Sequence, residues 1–145
     1  MLGQLIEQVA YVRWLDTLKT AGVDAAAAAS SAIDCAGFDR ILATLEVGAT
    51  ATEGGTITFK IQECDTSDGE FADLAGATIG THTHGGTGEA KKSYIIDAKL
   101  NKRYIKLVYQ RAGENSTIDA GIYMLYNNKK TPIATPAGIK ELVVT

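Results

Sequence analysis

The stretch TITFKIQE at residues 56–63 alternates apolar and polar side chains without a break. Ile57, Phe59 and Ile61 point to one side of an extended chain, while the threonines, the lysine and the glutamine point to the other. This pattern is typical of a half-buried antiparallel strand, because successive side chains of a strand face opposite sides of its sheet. The sequence therefore predicts a strand here with one apolar face.

Residues 40–47 repeat the alternation of residues 56–63. Four side chains form the apolar side of this second segment: Ile41, Ala43, Leu45 and Val47. Between the two segments lie residues 48–55, which are rich in glycine and read as a loop. The pair of segments with its loop predicts a β-hairpin, with both strands adjacent in one sheet.

The second half of the chain holds more segments of the same kind. Strands are predicted at residues 71–74, 78–80, 92–98, 103–109 and 118–126. In the last of these, the alternation puts five side chains on one face: Ile118, Ala120, Ile122, Met124 and Tyr126. Short strands separated by Gly, Asp and Asn turns, with no long helical period between residues 32 and 126, predict an all-β fold. We expect a single antiparallel β-sandwich, jelly-roll-like in its connections.

The two ends of the chain differ from this middle part. We divide the sequence into an amino-terminal arm or first strand at residues 1–30, a sandwich core at 31–127 and a tail at 128–145. The pattern of the first segment fits an extended strand or a partly helical stripe, and the prolines of the tail favour an extended backbone. Apolar residues at both ends have no obvious partner in the sandwich and are predicted to form an interface. They are Leu2, Leu5, Ile6, Val9, Leu142, Val143 and Val144.

Charge is distributed unevenly along the chain. Residues 1–73 hold 12 acidic and 4 basic residues, a net charge of −8, and residues 74–145 hold 5 acidic and 10 basic residues, a net charge of +5. We favour the interpretation that strands of the two halves interleave and their charges mix, and the alternative is acidic and basic surfaces that pair between copies. The overall net charge of −3 argues against nucleic-acid binding, which needs a basic excess.

Neither a membrane partner nor export is expected. No apolar run approaches the ~20 residues of a membrane helix, and the first residues lack the basic end and apolar stretch of a signal peptide. Cys35 and Cys64 lie in no metal-binding spacing. A bridge between them stays open if both lie on adjacent strands, but without a secretion signal we expect two reduced, buried thiols.

No catalytic or cofactor-binding constellation is evident in the sequence, and we predict no enzyme, no cofactor and no metal site. His82 and His84 would share one face of a strand. They lie among glycines, however, in what reads as a mobile exposed loop, and no third ligand is evident near them. The acidic turn at residues 65–70 also departs from the calcium-loop pattern, because Ser67 replaces a ligand.

Three segments together resemble small all-β virion proteins of tailed bacteriophages, which decorate or cement capsids. They are residues 33–39 (IDCAGFD), the end of the strand at 62–63 with the turn at 65–71, and residues 100–107 (LNKRYIKL). The resemblance covers roughly residues 30–126. It implies a jelly-roll-like sandwich on the outer capsid face, often as a trimer.

The resemblance therefore gives the function that we expect. The chain would be made in the cytoplasm of the host bacterium and would cement a capsid by bridging subunits of the major capsid protein. It would associate with itself, as a trimer or alternatively as a dimer. Two other functions stay open: another phage structural protein, of the tail or the head–tail joint, and a carbohydrate-binding sandwich. The latter needs exposed aromatic platforms, and the single tryptophan, Trp14, lies near the start of the chain.

Overall fold

A computed structural model describes residues 10–15, 19–50 and 52–128, and these residues form two antiparallel β-sheets packed face to face. They contain no helix, so no helix that could cross a membrane is found among them. The predicted all-β antiparallel sandwich is confirmed. The jelly roll in particular stays a prediction.

The first sheet, sheet A, contains the strands β1 (Ala10–Arg13), β2 (Lys19–Gly22), β5 (Phe38–Val47), β9 (Lys92–Lys99) and β11 (Ser116–Asn128). Their order in the sheet is β1–β11–β5–β9, and β2 also pairs with β11.

The second sheet, sheet B, contains the strands β3 (Ala28–Ala29), β4 (Ile33–Asp34), β6 (Glu53–Cys64), β7 (Ala72–Thr78), β8 (His82–Gly85) and β10 (Tyr104–Ala112). Their order in the sheet is β3–β10–β6–β7, while β4 also pairs with β10 and β8 also pairs with β6.

The core lies between the sheets, where the alternating apolar faces meet. The inward residues of β5 and β6 are almost wholly buried, as the sequence predicts: Ile41, Ala43, Leu45, Val47, Ile57, Phe59 and Ile61. Trp14 stacks on Phe59 with ring centroids 5.4 Å apart. Its indole also lies so close to Gly121 that a β-carbon there would be 2.6 Å from the ring. A glycine at position 121 is therefore what lets the tryptophan enter the core.

The predicted hairpin of β5 and β6 is wrong. β5 pairs with β11 and β9 in sheet A, whereas β6 pairs with β10, β7 and β8 in sheet B. Between Val47 and Glu53 the chain thus passes from one sheet to the other. Both arrangements bury the same alternating side chains, and for this reason the pattern alone does not distinguish two paired strands from two strands that face each other across a core.

The predicted single face of residues 118–126 is also wrong, because β11 contains a bulge. The register with β5 shifts between Ile118 and Ala120, so that two steps along β11 match one step along β5. One extra residue reverses the direction of every later side chain. Ile118 and Leu125 are therefore both buried, while Ile122 and Met124 point outward and are partly exposed.

A second bulge lies in the pairing of β6 with β7, where the sequence predicts two short strands and the structure has one. β7 runs without interruption through Ala72–Thr78 instead of forming strands at 71–74 and 78–80. Its register with β6 shifts between Lys60 and Gln62, and Gly76 has a φ of +77°. The glycine accommodates the irregularity within the strand and does not end it.

Charges from the two halves of the chain mix, as the favoured interpretation predicts. Asp24 pairs with Arg111, Asp34 with Arg103 and Arg40 with Asp97, so each pair takes one member from each half. Cys35 and Cys64 are both buried, as predicted, and are not bonded to each other. Burial, with the nearby Asp34 charge, raises the pKa of the Cys35 thiol to about 12.

Candidate functional site

The outer face of sheet A carries apolar side chains at its centre. Leu42 of β5 stands opposite Met124 of β11, and Thr44 stands between Ile122 and Ile95 of the two neighbouring strands. Leu42, Met124 and Ile122 are partly exposed, while Ile95 is 60 % exposed. A depression of about 220 Å³ lies along β5 and β11 on this face. The bulge in β11 creates the patch, because it turns Ile122 and Met124 outward.

Polar groups flank this apolar centre along the strands. At one end, Arg40 donates to the hydroxyl of Tyr126 at 2.7 Å and to Asp97 at 2.9 Å. The tyrosine also donates to Asp97, so that side chains of three adjacent strands are joined. At the other end, Ser93 donates to Glu46. Apolar centres with polar margins are the usual anatomy of protein interfaces.

All seven residues that the sequence predicts as an interface lie outside the described residues. The described strands nevertheless fix where their segments begin. Ala10 at the start of β1 pairs with Leu125 of β11, and Asn128 at the end of β11 pairs with Phe38. From a rise of about 3.3 Å per residue and a strand spacing of about 4.8 Å, Ala10 and Asn128 are roughly 11 Å apart. Ala10 and Asn128, the described residues to which residues 1–9 and 129–145 are joined, therefore lie at the same end of sheet A.

A second candidate site is formed by His82 and His84, which the structure does not place in an exposed loop. They are 3 % and 1 % exposed, on the short strand β8. β8 pairs with β6 in a register that sets His82 opposite the buried Ile57. Because the two histidines are two residues apart, both imidazoles point into the sandwich. The exposed loop that the sequence predicts is wrong.

Glu89 completes the histidine cluster, which we define as His82, His84 and Glu89. Its carboxylate lies 2.6 Å from Nδ1 of His84 and 3.3 Å from Nε2 of His82. The two histidine nitrogens are 3.4 Å apart. On its other side, Nδ1 of His82 is 2.7 Å from the hydroxyl of Tyr94 on β9. The side chain of Glu89 is only 6 % exposed, so the whole cluster is shielded from water.

A tight turn returns the chain over the histidines and delivers Glu89. The amide of Glu89 donates to the carbonyl of Gly86 at 3.1 Å. Gly88 has a φ of +86°, as the third position of a type II turn requires and as glycine readily adopts. The turn belongs to the connection from β8 in sheet B to β9 in sheet A, so the cluster lies where the two sheets are linked.

Burial and neighbouring charges set the protonation of the cluster. Burial lowers the pKa of His82, the adjacent His84 and Lys92 lower it further, and Glu89 opposes them. Burial alone would raise the pKa of Glu89, but the hydrogen bond from His84 and the histidine charges outweigh it, and the net pKa is lowered. The arrangement favours a neutral His82 beside an ionised Glu89.

One buried nitrogen of the cluster has no partner. Within the described ranges, Nε2 of His84 is a buried side-chain polar atom that makes no hydrogen bond. Groups buried in this way are uncommon, since losing water without gaining a partner is unfavourable. The internal hydrogen bonds of the cluster therefore do not satisfy it completely.

The sequence contained part of the signal for this cluster. The spacing of the two histidines predicts a shared face, and the third member of the cluster, Glu89, follows five residues after His84. The glycines between them, at positions 85, 86 and 88, favour an exposed loop when the sequence is considered alone. In the structure they instead form the turn that brings the acid back over the histidines.

Comparisons with known proteins bear on the fold alone. No family model matches the chain, and no curated protein matches it in sequence. It is similar to the solved structure of Eiger TNF from S. frugiperda, with a TM-score of 0.50 over 94% of this chain and 98% of that chain. Only 8% of the aligned residues are identical, so the similarity concerns the architecture and not a shared activity.

Proposed function

We propose that this chain is a structural virion protein that decorates the capsid of a tailed bacteriophage and cements it by bridging subunits of the major capsid protein. After synthesis in the host bacterium it would sit on the outer capsid surface. Catalysis has no part in this role. The resemblance of residues 33–39, 62–71 and 100–107 to such proteins supports the proposal, and the β-sandwich is the fold that the resemblance implies.

The observation that carries the proposal is that Ala10 and Asn128, the described residues next to the two chain ends, lie at the same end of sheet A. Residues 1–9 and 129–145 contain the seven apolar residues predicted as an interface, and they begin side by side at one end of sheet A. Two apolar segments that start so close together can bind one neighbouring surface as a single anchor. In this arrangement the end segments bind the capsid shell, and the sandwich is the rigid part of the protein that they hold there.

Self-association would join several such anchors. We assign it to the outer face of sheet A, where the partly exposed Leu42, Ile122 and Met124 surround a depression with polar ends. A trimer is the proposed state, with a dimer as the alternative. Copies that share this face would present their anchors together, and simultaneous binding multiplies affinity without new contacts.

The position of Trp14 disfavours a carbohydrate-binding module. Its side chain is 8 % exposed and lies parallel to Phe59, with an angle of 4° between the ring planes. A sugar-binding platform needs an exposed aromatic face, and this ring is part of the core. A tail or head–tail joining protein could share the observed fold, and the binding assay below separates it from a capsid protein.

The proposal is tested by co-sedimentation with undecorated capsids of the phage that encodes the chain. Full-length protein should pellet with capsids and not with isolated tails. Deletion of residues 1–8 or of residues 137–145 should leave the melting temperature within a few degrees and weaken capsid binding. Thr58→Lys, on the exposed outer face of sheet B, is the control and should bind as the wild type. Pelleting with tails instead would favour the joining protein, and unchanged binding of both truncations would exclude the terminal anchor.

A further inference from the structure

We propose that the histidine cluster, His82, His84 and Glu89, is a structural binding site for a divalent transition metal ion of the zinc class. The ion would close the edge of the sandwich where β8 leads into β9. This inference is independent of the proposed function, because it rests on residues at the end of the sandwich opposite to the chain ends.

The spacing of the ligand atoms fits a tetrahedral ion. Zinc–nitrogen and zinc–oxygen bonds of about 2.0–2.1 Å place neighbouring ligands roughly 3.3–3.4 Å apart. Nε2 of His82 lies 3.3 Å from the Glu89 carboxylate and 3.4 Å from Nδ1 of His84. The two contacts of Glu89 use different oxygens: Oε1 lies near His82, and Oε2 accepts a 2.6 Å hydrogen bond from Nδ1 of His84. A metal would displace the proton from this hydrogen bond, and Nδ1 and Oε2 would then move apart by less than about 1 Å.

The donor set of the cluster indicates the class of metal ion. His82, His84 and Glu89 offer two imidazole nitrogens and one carboxylate oxygen, all within 4.8 Å of one another. Two imidazoles with one carboxylate favour zinc, cobalt, nickel or copper over calcium and magnesium, which prefer all-oxygen sites.

One neighbour of the cluster also fits a metal site. Histidine ligands usually have a hydrogen-bond partner on the ring nitrogen that does not bind the metal, and Nδ1 of His82 has the hydroxyl of Tyr94 at 2.7 Å. For His84 bound through Nδ1, the corresponding nitrogen is Nε2, which is buried and has no such partner among the described residues. The supporting hydrogen bond is therefore that of His82.

The burial of the ligands indicates a structural ion and not a catalytic one. Their side chains are 2 %, 0 % and 6 % exposed, which leaves the fourth position to a trapped water and not to a substrate. The cluster is also distant from the described residues next to the chain ends. Tyr94, beside the cluster, pairs with Leu45 of β5, whereas Asn128, the last described residue, pairs with Phe38 of β5. These two positions on β5 are seven residues apart, or about 23 Å along the strand.

The test begins with metal-free full-length protein prepared with a chelator. Zn²⁺ should bind with a stoichiometry of one ion per chain by mass spectrometry of metals, and it should raise the melting temperature by several degrees. Co²⁺ in place of Zn²⁺ should give the intense visible absorption of a tetrahedral site. Failure of the wild-type chain to bind either ion would overturn the proposal.

Variants separate this site from adventitious binding. Loss of a side chain that hydrogen-bonds to a metal ligand weakens metal binding by roughly 10–100-fold, and this is the effect that we expect for Tyr94→Phe. Glu89→Gln and His84→Gln remove a ligand itself, so each should weaken Co²⁺ binding by more. Glu63→Gln, another buried carboxylate, is the matched control and should bind as the wild type. Equal affinity of Glu89→Gln and wild type would overturn the assignment. If the ligand variants fail to fold, Tyr94→Phe with an unchanged Co²⁺ spectrum and affinity would also contradict it.

Discussion

The two outer faces of the sandwich are built on similar strands and yet present different chemistry. On sheet A, the outward positions of the central strands carry Leu42, Ile122 and Met124, and the exposed Ile95 lies beside them. On sheet B, the outward positions of the paired strands β6 and β10 carry mainly polar or charged side chains. They include Thr56, Thr58, Lys60, Gln62, Lys106 and Gln110. The inward residues set the fold of both sheets, whereas the outward residues decide which sheet can meet a partner.

The bulge at Asp119 accounts for most of this difference. Without the extra residue, the alternation would keep Ile122 and Met124 on the same side as the buried Ile118. With it, these two apolar residues stand outside, and Gly121 and Tyr123 take their places above the core. Bulges commonly redirect side chains near functional surfaces, and this one changes a buried stripe into an exposed one.

The outer face of sheet B is organised by charge. Asp73 of β7 accepts hydrogen bonds from Lys60 and from Gln62, both at 2.8 Å. Lys106 lies over the ring of Phe71 at 4.4 Å. These groups remain accessible to water, and such a surface is well suited to face solvent. We therefore expect sheet B to point away from a partner when sheet A points toward one.

The largest effect is expected from the core that both faces share. Phe59 is fully buried and stacks on Trp14, so Phe59→Ala should lower the free energy of unfolding by about 3–5 kcal/mol. Thr58→Ala, one residue away on the exposed side, should change it by less than about 0.5 kcal/mol. Urea denaturation curves measure both values. A loss below about 1 kcal/mol for Phe59→Ala would reverse the assignment of the inner face.

A smaller effect should distinguish the two outer faces. Met124→Lys places a charge at the centre of the sheet A patch and should weaken self-association by about 100-fold or more, because burying an unpaired charge is costly. Thr58→Lys makes the matched change on sheet B and should leave association unchanged. Light scattering coupled to size-exclusion chromatography reports the masses. If the two variants assemble alike, the proposed interface lies elsewhere.

The smallest effect concerns one carboxylate on each face. Hydrogen bonds from Tyr126 and Arg40 lower the pKa of Asp97, and hydrogen bonds from Lys60 and Gln62 lower that of Asp73. A lowered folded-state pKa contributes stability above the ordinary value of about 3.9, and this contribution is lost as the pH falls through the lowered pKa. Asp97→Asn and Asp73→Asn should therefore melt slightly below the wild type at pH 7, by similar amounts.

Two measurements on this pair of variants sharpen the contrast between the faces. The differences in melting temperature should disappear in acid, where the wild-type carboxylates are protonated as well. At neutral pH, Asp97→Asn should also weaken self-association, because Asp97 lies at the margin of the sheet A patch, and Asp73→Asn should not. A larger effect of Asp73→Asn on association would contradict the assignment of the two faces.

Sequence alternation predicts which residues are buried better than it predicts which strands are neighbours. Residues 40–47 and 56–63 have the predicted faces, because a strand with one apolar side buries that side in any arrangement. The alternation does not predict which strands pair with them, because a hairpin and two strands that face each other across a core satisfy the same pattern. Asp119 shows the second limit. A single inserted residue reverses a face, and nothing in the local sequence marks it as the bulge.

The candidate metal site shows a third limit. The spacing of His82 and His84 predicts their shared face, but their burial depends on the pairing of β8 with β6, a strand distant in sequence. Glu89 reaches them only through the turn at Gly86–Glu89. Such groups become a cluster when the sheets are assembled, and the spacing of the ligands along the chain does not specify that assembly.

The most direct test of the proposed role is an electron cryo-microscopy map of particles that contain this chain. We expect density for the sandwich on the outer surface of the capsid, with the end of sheet A that carries Ala10 and Asn128 toward the shell. The sheet A faces of neighbouring copies should meet, and sheet B should face solvent. Density on the tail alone, or copies on the shell that meet through sheet B with their chain ends pointing outward, would contradict the proposal.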